Sequence, residues 1–516
     1  MARVKPQGDS VATTSVEFDR MCNDWELPND LLGGTSRMRE KGIQWLPKEE
    51  GEKQKLYKVR LNRSFLFNAF EDTCKRISSK PFSRPINITG RDEAEEQGLI
   101  PNHKNVDKSG SSDSIFFRSV LFNSTAFGLS HVFVDYPAMP NGGDISLAEE
   151  REIDARPFFT HVKPYNMLFW RASEAVDGSH ELEEIRFREV RVENRGIYGD
   201  MEVDFIRVIT KTGWQLWRAD SIVKAVTGEG IRDRIYRQMA VAYQLEAEGS
   251  HSFGSIPLVT YYTNKQGFMT ALPPLRALSE INLAHWQSSS DQRNILRFSR
   301  LATLFAKGFT DTEIKDGIIW SVNNLIHSRS ENADVKFVEH SGRAIAAGQI
   351  DLDKLEKMMQ VLGTQPFIER TGDSTATEAQ IQEGRVSSDV QAWVNDLNTV
   401  GNEVYELAAQ WKSKPLPTDF KVNIFNDFNA IVKGHLDAQT LTTARENRDL
   451  SQTTYLSELQ RRAILDEDLN IEDEVKTTKS ERDSAPDNTG NSANGTVASP
   501  NSNNPLNLND GGGDDG

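Results

Sequence analysis

The sequence predicts an α+β fold in which a β-rich section is followed by long helices. Between residues 150 and 263, apolar and charged residues alternate in several runs, and such alternation is typical of half-buried strands. From Leu275 to Ala306 the chain contains no glycine or proline, which predicts one long helix. A third stretch, ending near Trp411, repeats apolar residues at alternating intervals of four and three, and this spacing predicts another long helix.

Length and composition set the broad class of the protein. The chain has 516 residues and a formal net charge of −16, and only 37% of its residues are apolar. At ~150 residues per domain, this length predicts about three domains or one multi-part subunit. The acidic balance argues against a nonspecific DNA coat, because phosphate binding needs clustered lysine and arginine. It does not exclude a protein past which DNA slides.

Targeting and redox features indicate synthesis in a reducing cytosol. No apolar run approaches the ~18 residues of a membrane span, so we expect no membrane partner. The N-terminus, MARVKPQGDS, lacks the apolar core of a secretory signal. The two cysteines, Cys22 and Cys74, cannot form a disulfide framework.

The first part of the chain predicts helices that lead into a strand. We expect residues 1–50 to form a polar arm with short helices. A helix should begin near Arg60 and stop at Lys80-Pro81, and a second should end at Gly128 and run into the strand HVFVDYP. Residues 84–112 predict loop and short turns.

Alternation predicts several strands in the β-rich section. In EEIRFREVRVE we expect Ile185, Phe187, Val190 and Val192 to share one buried face. The run MEVDFIRVITKTGWQLWRA predicts two strands around a turn at residues 211–213, and GSIPLVTYY predicts another strand.

The C-terminal half predicts helices around a small β insert. Residues 307–348 contain two strand-like runs, GIIW and VKFVE, and helix returns at DLDKLEKMMQVLG with Asp351 as its N-cap. Thr375 and Glu378 form a capping box that predicts the start of the helix ending near Trp411. We interpret Gly401 as the weak point of that helix, and FKVNIFNDFNAI as a last strand.

The end of the chain predicts short helices and an acidic tail. Two or three helices should follow residue 433, one of them starting at Ser451. From about Lys476 the composition is dominated by Asn, Ser, Gly, Asp and Pro, which predicts disorder. Residues 433–516 contain 8 basic and 16 acidic side chains, and so carry half of the net charge.

The helix that begins at Leu275 is polar around most of its circumference. Its middle, QSSSDQRN, is too polar to face a core of its own, and such helices usually bridge parts or pack against other subunits. Arg293, Arg297 and Arg300 lie at i, i+4 and i+7 and form one basic stripe. This stripe is either a solvated face or a surface that meets DNA or acidic neighbours.

The sequence contains no recognised catalytic or cofactor-binding motif. The patterns GxxxxGK[ST], HExxH, CxxC and GxSxG are absent, and no two of the nine histidines lie at i, i+4. Carboxylate pairs such as Asp351/Asp353 are expected at this acidity and are interpreted as solvated helix ends. His285 beside Trp286 is interpreted as ordinary packing or a subunit contact. We therefore predict no enzyme, no metal site and no cofactor.

The order of segments resembles that of tailed-phage portal proteins, close to portal-like families formerly of unknown function. The segments that carry the resemblance are, in order, LPPLRALSEINLAHWQSSSDQRNIL, a small β insert, VKFVEHSGRAIAAGQIDLDKLEKMMQVLG, a loop, TATEAQIQEGRVSSDVQAWVNDLNTVGNEVYELAAQW and SQTTYLSELQRRAILDEDLNIEDE. GSIPLVTYY ahead of the first long helix fits the same pattern, and the resemblance covers about residues 55–475.

This resemblance implies a homo-oligomeric ring, usually of twelve copies, at one vertex of a virion capsid. Double-stranded DNA would be packaged through its channel by a separate terminase and later ejected. Further partners would be a head–tail adaptor and the major capsid and scaffolding proteins. The implied parts are an N-terminal arm (1–50), a mixed α/β wing (51–275), a stem helix (276–300), a clip (301–349), a second stem helix (350–364), a tunnel loop (365–375), a long wing helix and strand (376–432), a helical crown (433–476) and a disordered acidic tail (477–516).

The implied clip contains a candidate partner surface. Lys315, Asp316, Ile318 and Trp320 lie there, in a loop-rich insert of the kind that often carries binding sites. The apolar members would either contact terminase or an adaptor, or fill the clip's own small core or a subunit contact.

The implied tunnel loop contains Glu369, Arg370, Gly372 and Asp373, whose charges sum to −1 per copy. In a ring, this sum would give an acidic collar that repels phosphates and centres DNA without gripping it. The alternative is a plain connector between helices, although the loop is longer than such a connector needs.

Two other classes of protein remain as alternatives. One is a different structural ring of the virion, such as a head–tail adaptor or capsid component, although adaptors are usually much shorter. The other is a nuclease or hydrolase with a β-rich body, which would need a converging acid or metal cluster that the sequence does not reveal.

Overall fold

The computed structural model describes residues 10–137, 155–174, 176–220, 229–251, 253–299, 303–309, 330–338, 343–363, 376–426, 434–461, 464–465 and 469–484. The chain divides into two compact units, Met1–Phe428 and Asn429–Gly516. Helices and antiparallel sheets are both extensive, and the predicted α+β class is confirmed.

The N-terminal helices belong to the core of the first unit. Helix α1 (Val16–Leu32) begins at Ser15, whose hydroxyl accepts from the amide of Phe18, and α2 (Gly34–Lys41) follows at once. Trp25 is fully buried and its indole N–H donates to the carbonyl of Phe127 at 2.8 Å. The polar arm expected here is therefore wrong for these helices, because α1 carries a face of large apolar side chains that pack inward.

Helix α1 also reaches a strand from far along the chain. The sulfur of Met21 lies 3.4 Å from the amide of Ala271, in the short strand β11 (Thr270–Ala271). Strand β11 pairs with β10 (Lys265–Gly267). This contact joins residues that are 250 positions apart.

The single helix expected from Arg60 to Lys80 is instead parts of two helices. Helix α3 (Gln54–Arg63) ends where Ser64 becomes extended, and α4 (Ala69–Ser79) begins at Asn68, whose side chain accepts from the amide of Glu71. An Asn cap satisfies free amides and so starts a new helix inside the apolar pattern.

The next segment contains more regular structure than expected. Strand β1 (Asn87–Thr89) and helix α5 (Arg91–Glu96) lie where loop and turns were predicted. Helix α6 (Asp113–Phe127) ends at Gly128, as predicted. Gly128 has φ +96° and a Cβ there would lie 2.4 Å from the carbonyl oxygen of Leu272, so glycine is needed twice over.

A three-stranded antiparallel sheet follows α6. Its central strand β2 (Leu129–Asp135) lies between β3 (Phe158–Val162) and β9 (Leu258–Tyr262). Strand β2 is buried along nearly its whole length, as a central strand covered on both faces should be. The predicted strands HVFVDYP and GSIPLVTYY are confirmed as β2 and β9.

The second sheet is an antiparallel meander of five strands. Its order is β4 (Met167–Glu174), β5 (His180–Arg195), β6 (Gly199–Thr210), β7 (Gly213–Ala219) and β8 (Tyr243–Ser250). The turn predicted at residues 211–213 is confirmed. Helix α7 (Ile231–Met239), which was not predicted, lies in the chain between β7 and β8.

The shared buried face predicted for β5 is wrong. Ile185 and Phe187 are buried, whereas Val190 and Val192 are 42% and 66% exposed. Side chains of a strand alternate with period two, so odd and even positions face opposite sides of the sheet. The two valines therefore lie on the other face from the two core residues.

The C-terminal half of the first unit contains the long helices. Helix α8 (Arg276–Ser299) stops before the predicted end at Ala306, and β12 (Thr303–Lys307) pairs with β13 (Asp334–Val338) as an antiparallel ribbon. Helix α9 (Arg343–Leu362) starts well before Asp351, which is therefore not its N-cap. The run GIIW lies outside the described residues.

Helix α10 (Ala376–Gln410) packs on the three-stranded sheet and confirms the helix predicted to end near Trp411. Its buried stripe contains Val394, Tyr405 and Ala408 as well as four residues of the predicted repeat, Val390, Leu397, Val400 and Val404. Gly401 was interpreted as a weak point of this helix, but it has a packing role. Its missing side chain lets Val422 of β14 (Lys421–Asn423) pack closely against the helix. Strand β14 in turn pairs with β1.

The second unit consists of helices in its described part. These are α11 (Gly434–Glu446), α12 (Gln452–Arg461) and α13 (Ile471–Ser484). The start predicted at Ser451 is confirmed, since its hydroxyl accepts from the amide of Thr454 at 3.1 Å. Helix α13 continues past residue 477, where disorder was expected, and the rest of the predicted tail lies outside the described residues.

Candidate functional site

Helices α8 and α9 form an antiparallel pair. The imidazole of His285 lies 3.4 Å from Glu356, and the side-chain amide of Gln292 donates to the carbonyl of Ile345 at 2.8 Å. Burial lowers the pKa of His285, although its contact with Glu356 opposes this shift. His285 is therefore a packing residue of the helix pair, in agreement with the first of its two predicted roles, ordinary packing or a subunit contact.

The polar face of α8 is bonded to the N-terminal part of the same chain. Fully buried Asn282 accepts from the amide of Phe70 at 3.0 Å and donates to the carbonyl of Phe67 at 2.8 Å. The hydroxyl of Ser290 lies 2.8 Å from that of Ser64. The polar middle of α8 thus bridges parts within one subunit, because each buried polar group needs a partner.

A buried ion cluster anchors α3 to α8. Arg60 donates to both carboxylate oxygens of Glu52, at 3.0 and 2.9 Å, and to Asp291 of α8 at 3.3 Å. It also donates to the carbonyl of Pro47 at 2.8 Å. The hydrogen bond from Arg60 lowers the pKa of the Glu52 carboxyl, while burial raises the pKa of Asp291.

An arginine-rich groove lies beside this anchor. Its volume is about 900 Å³ and its lining residues are Arg39, Asn62, Arg63, Phe65, Arg293, Leu296 and Arg297. The guanidinium carbon of Arg293 lies 5.1 Å from the ring centre of Phe65, a cation–π distance, and that ring is 48% exposed. Arg39 donates to the carbonyl of Ser64 at 3.0 and 2.7 Å.

The charge of this arginine groove is entirely positive. Four guanidinium groups and no carboxylate line it among the described residues. Such a surface attracts phosphates or acidic side chains, and the aromatic ring between the cations adds a flat apolar contact. The groove is the candidate functional site of the described chain.

The sequence predicted part of this groove. Arg293 and Arg297 of the basic stripe lie in it together, whereas Arg300 lies outside the described residues. The clip residues Lys315, Asp316, Ile318 and Trp320 and the tunnel-loop residues Glu369, Arg370, Gly372 and Asp373 also lie outside them. Arg39, Arg63 and Phe65 were missed, because only the tertiary fold brings them to α8.

A serine–histidine contact elsewhere in the fold is not arranged for nucleophilic chemistry. His161 lies 3.1 Å from the hydroxyl of Ser119 and 2.7 Å from that of Ser130. Burial lowers the pKa of His161 to about 3, so the ring is neutral at pH 7 and a poor general base. Both ring nitrogens are held by hydroxyls, which is typical of a satisfied buried histidine.

The described ranges contain neither a cluster of metal ligands nor a membrane-spanning helix. No group of three or more His, Cys, Asp or Glu side chains converges there as metal ligands would. No helix in the described part of the chain has the length and apolarity needed to cross a bilayer.

Comparisons with known proteins give one family and several remote structures. Residues 274–412 match a family described as a domain of unknown function (DUF4055). This segment contains α8, the β12–β13 ribbon, α9 and α10. Curated proteins offer no match to the sequence.

Three of the solved structures with similarity are from gene transfer agent particles. The chain is similar to one in the virion of a native gene transfer agent (GTA) particle, with 10% identity and a TM-score of 0.40, over 82% of this chain and 98% of that one. The neck of the native GTA particle, computed with C12 symmetry, matches with 10% identity and a TM-score of 0.37, over 74% of this chain and 87% of that one. The neck of the empty particle, computed with C6 symmetry, matches with 10% identity and a TM-score of 0.35, over 81% of this chain and 91% of that one. TM-scores this low carry no conclusion about this chain.

Proposed function

We propose that the chain is a subunit of a portal-type ring, a conduit for packaging and ejecting double-stranded DNA at one vertex of a phage-like capsid. The observation that carries this proposal is the order of elements in the first unit. An antiparallel helix pair, α8 and α9, is joined through a β ribbon and followed by the long helix α10. This is the order that the resemblance to portal proteins implies for stem, clip and wing.

The arginine groove supports a role in an assembly. Subunits of a closed ring present two different faces to their neighbours, and a face of one charge needs a complement. We assign the groove to an acidic surface of a neighbouring copy or to DNA in the channel. A contact with DNA would be weak and salt-sensitive, because tight phosphate binding would stall translocation.

Two further assignments belong to the same proposal. Lys315, Asp316, Ile318 and Trp320 form the clip surface that docks terminase or a head–tail adaptor. Glu369, Arg370, Gly372 and Asp373 form the acidic collar at the narrowest part of the channel.

Electron microscopy of the purified full chain tests the proposal. We expect rings of about twelve copies with a central hole, together with no hydrolysis of added DNA. A compact monomer that cleaves DNA would contradict the proposal and favour the nuclease alternative. A ring too narrow for duplex DNA would favour a different structural ring of the virion.

A charge reversal in the arginine groove tests its part in assembly. Arg293→Glu with Arg297→Glu should reduce the ring fraction or, if the groove meets DNA, the amount of DNA packaged. The matched control is Arg76→Glu on α4, since Arg76 is half exposed and bonded to Asp72 at 2.6 Å outside the groove. Equal ring assembly and DNA packaging in both variants would show that the basic stripe is only a solvated face.

A further inference from the structure

A second cleft of the first unit is also cationic. It lies between α1, α6, α7 and the chain just after β3, and its volume is about 590 Å³. Among its lining residues are three cations, Arg37, Lys163 and Arg234, but only one carboxylate, that of Glu229. Amides of Asn29 and Asn123 and the ring of Tyr165 complete the polar part of the lining.

The carboxylates near this cleft already have cationic partners. The pairs are Arg37 with Asp30 at 2.8 Å, Arg188 with Asp204 at 2.5 Å, and Arg237 with Glu229. In each pair the negative charge of the carboxylate is neutralised by an arginine other than Arg234. Among the described residues, no carboxylate makes an ion pair with Arg234 or Lys163, although Asp204 and Glu229 attract the charge of Arg234 from a greater distance.

Arg234 is the unusual member of this group. It is half-buried, its Nε has no hydrogen-bond partner in the described part of the fold, and its guanidinium carbon lies 5.9 Å from the ring centre of Tyr165. Burial, and then the nearby charge of Arg188, lowers the pKa of Arg234. A half-buried cation that no carboxylate pairs directly is costly, and an oxyanion in the cleft would reduce that cost.

We propose that this cleft binds a phosphate monoester, either as free phosphate or on a nucleotide. Two positive charges without a direct ion pair among the described residues match the charge of about −1.5 to −2 on such a group at pH 7 better than the single charge of a carboxylate. The volume suits a small molecule, and the Tyr165 ring beside Arg234 offers a surface on which a base can stack. This proposal does not depend on the portal function.

Calorimetry and thermal unfolding of the full chain test this proposal, with inorganic phosphate, a nucleoside monophosphate and the uncharged nucleoside as probes. Both phosphates should bind and raise Tm, and the nucleoside alone should not. Tighter binding of the nucleotide than of phosphate identifies a nucleotide site, and equal binding identifies a phosphate site. Failure of both phosphates to bind overturns the proposal.

The variant Arg234→Gln separates a ligand site from a structural role. It should weaken phosphate binding about tenfold or more, since it removes a charge-assisted contact. Its Tm without ligand should equal or exceed that of the wild type, because a half-buried charge without a direct ion pair is gone. Arg76→Gln, outside the cleft, should bind as the wild type does. A lower Tm for Arg234→Gln with unchanged phosphate affinity would overturn the proposal.

Discussion

Asp30 shows how one buried carboxylate can fix the arrangement of two helices. It is fully buried and accepts from Arg37 at 2.8 Å and from the indole of Trp45 at 2.7 Å, while Lys41 lies 3.1 Å away. A charge out of water requires such partners, so few other arrangements of α1 and α2 would satisfy it. The sequence offers no sign of this cluster, because GTSRMREK has the composition of a solvated helix.

Glu52 provides a prediction at this scale with a pH dependence. Glu52→Gln should destabilise the first unit by about 3 kcal/mol at neutral pH, because it leaves Arg60 buried with one weaker acidic partner. The pKa of Glu52 is lowered by Arg60, so its contribution is full above the unfolded pKa of about 4.3 and disappears as pH falls through the folded value.

Thermal unfolding as a function of pH measures this effect. The difference in Tm between wild type and Glu52→Gln should shrink as pH falls below about 4.3. Asp72→Asn is the control, since its pair with Arg76 is about half exposed and contributes little. A difference that persists undiminished in acid would show that Glu52 acts through packing rather than charge.

At the scale of elements, local signals predict a helix or strand better than they predict its partners. Helix α6 and the turn between β6 and β7 were found from a glycine stop and a turn signal that operate over a few residues. Strand β12 was missed because its pairing with β13 lies across an insert, and an apolar run that continues a helical pattern has no mark of a strand. Because β12 follows α8 after only a few residues, its apolar residues hid the end of that helix.

The bond network of α8 leads to a prediction about Asn282. Asn282→Leu keeps a similar volume but leaves the amide of Phe70 without a partner and removes one of the two hydrogen bonds of the Phe67 carbonyl, which still accepts from the amide of Ala69. It should destabilise the first unit by about 2 kcal/mol, since an unsatisfied buried group costs about 1–3 kcal/mol. Ser290→Ala, which removes a single bond to Ser64, should cost about 1 kcal/mol. Denaturant unfolding measures both, and a wild-type midpoint for Asn282→Leu would contradict this account of α8.

At the scale of the whole molecule, distant segments close the first unit. Asn87 of β1 pairs with Asn423 of β14, and the hydroxyl of Tyr261 donates to the carbonyl of Trp393 at 2.9 Å. Such contacts also built the arginine groove, whose Arg293 and Arg297 were predicted from helical spacing, whereas its Arg39 and Arg63 come from the N-terminal helices. Sequence periodicity cannot supply that second half, because it carries no information about contacts between remote segments.

The tunnel loop gives a prediction for the assembled particle. Deleting residues 368–372 should leave rings intact, because both flanking helices have their own start and stop signals. DNA packaging or retention should fall, because the deletion removes part of the repelling collar and shortens the loop. Measurement of packaged genome length and of DNA released from filled particles tests this. Particles that fill and hold a full genome would show that the loop is only a connector.

The contact between Met21 and Ala271 has a consequence for synthesis on the ribosome. Helix α1 leaves the exit tunnel well before the strand that its Met21 contacts, because Ala271 is made 250 residues later. At about 5–20 residues per second, the side chain of Met21 waits roughly 12–50 s for this partner. A nascent chain of this kind should depend on chaperones that shield apolar segments, and chains released prematurely should aggregate rather than accumulate as stable fragments.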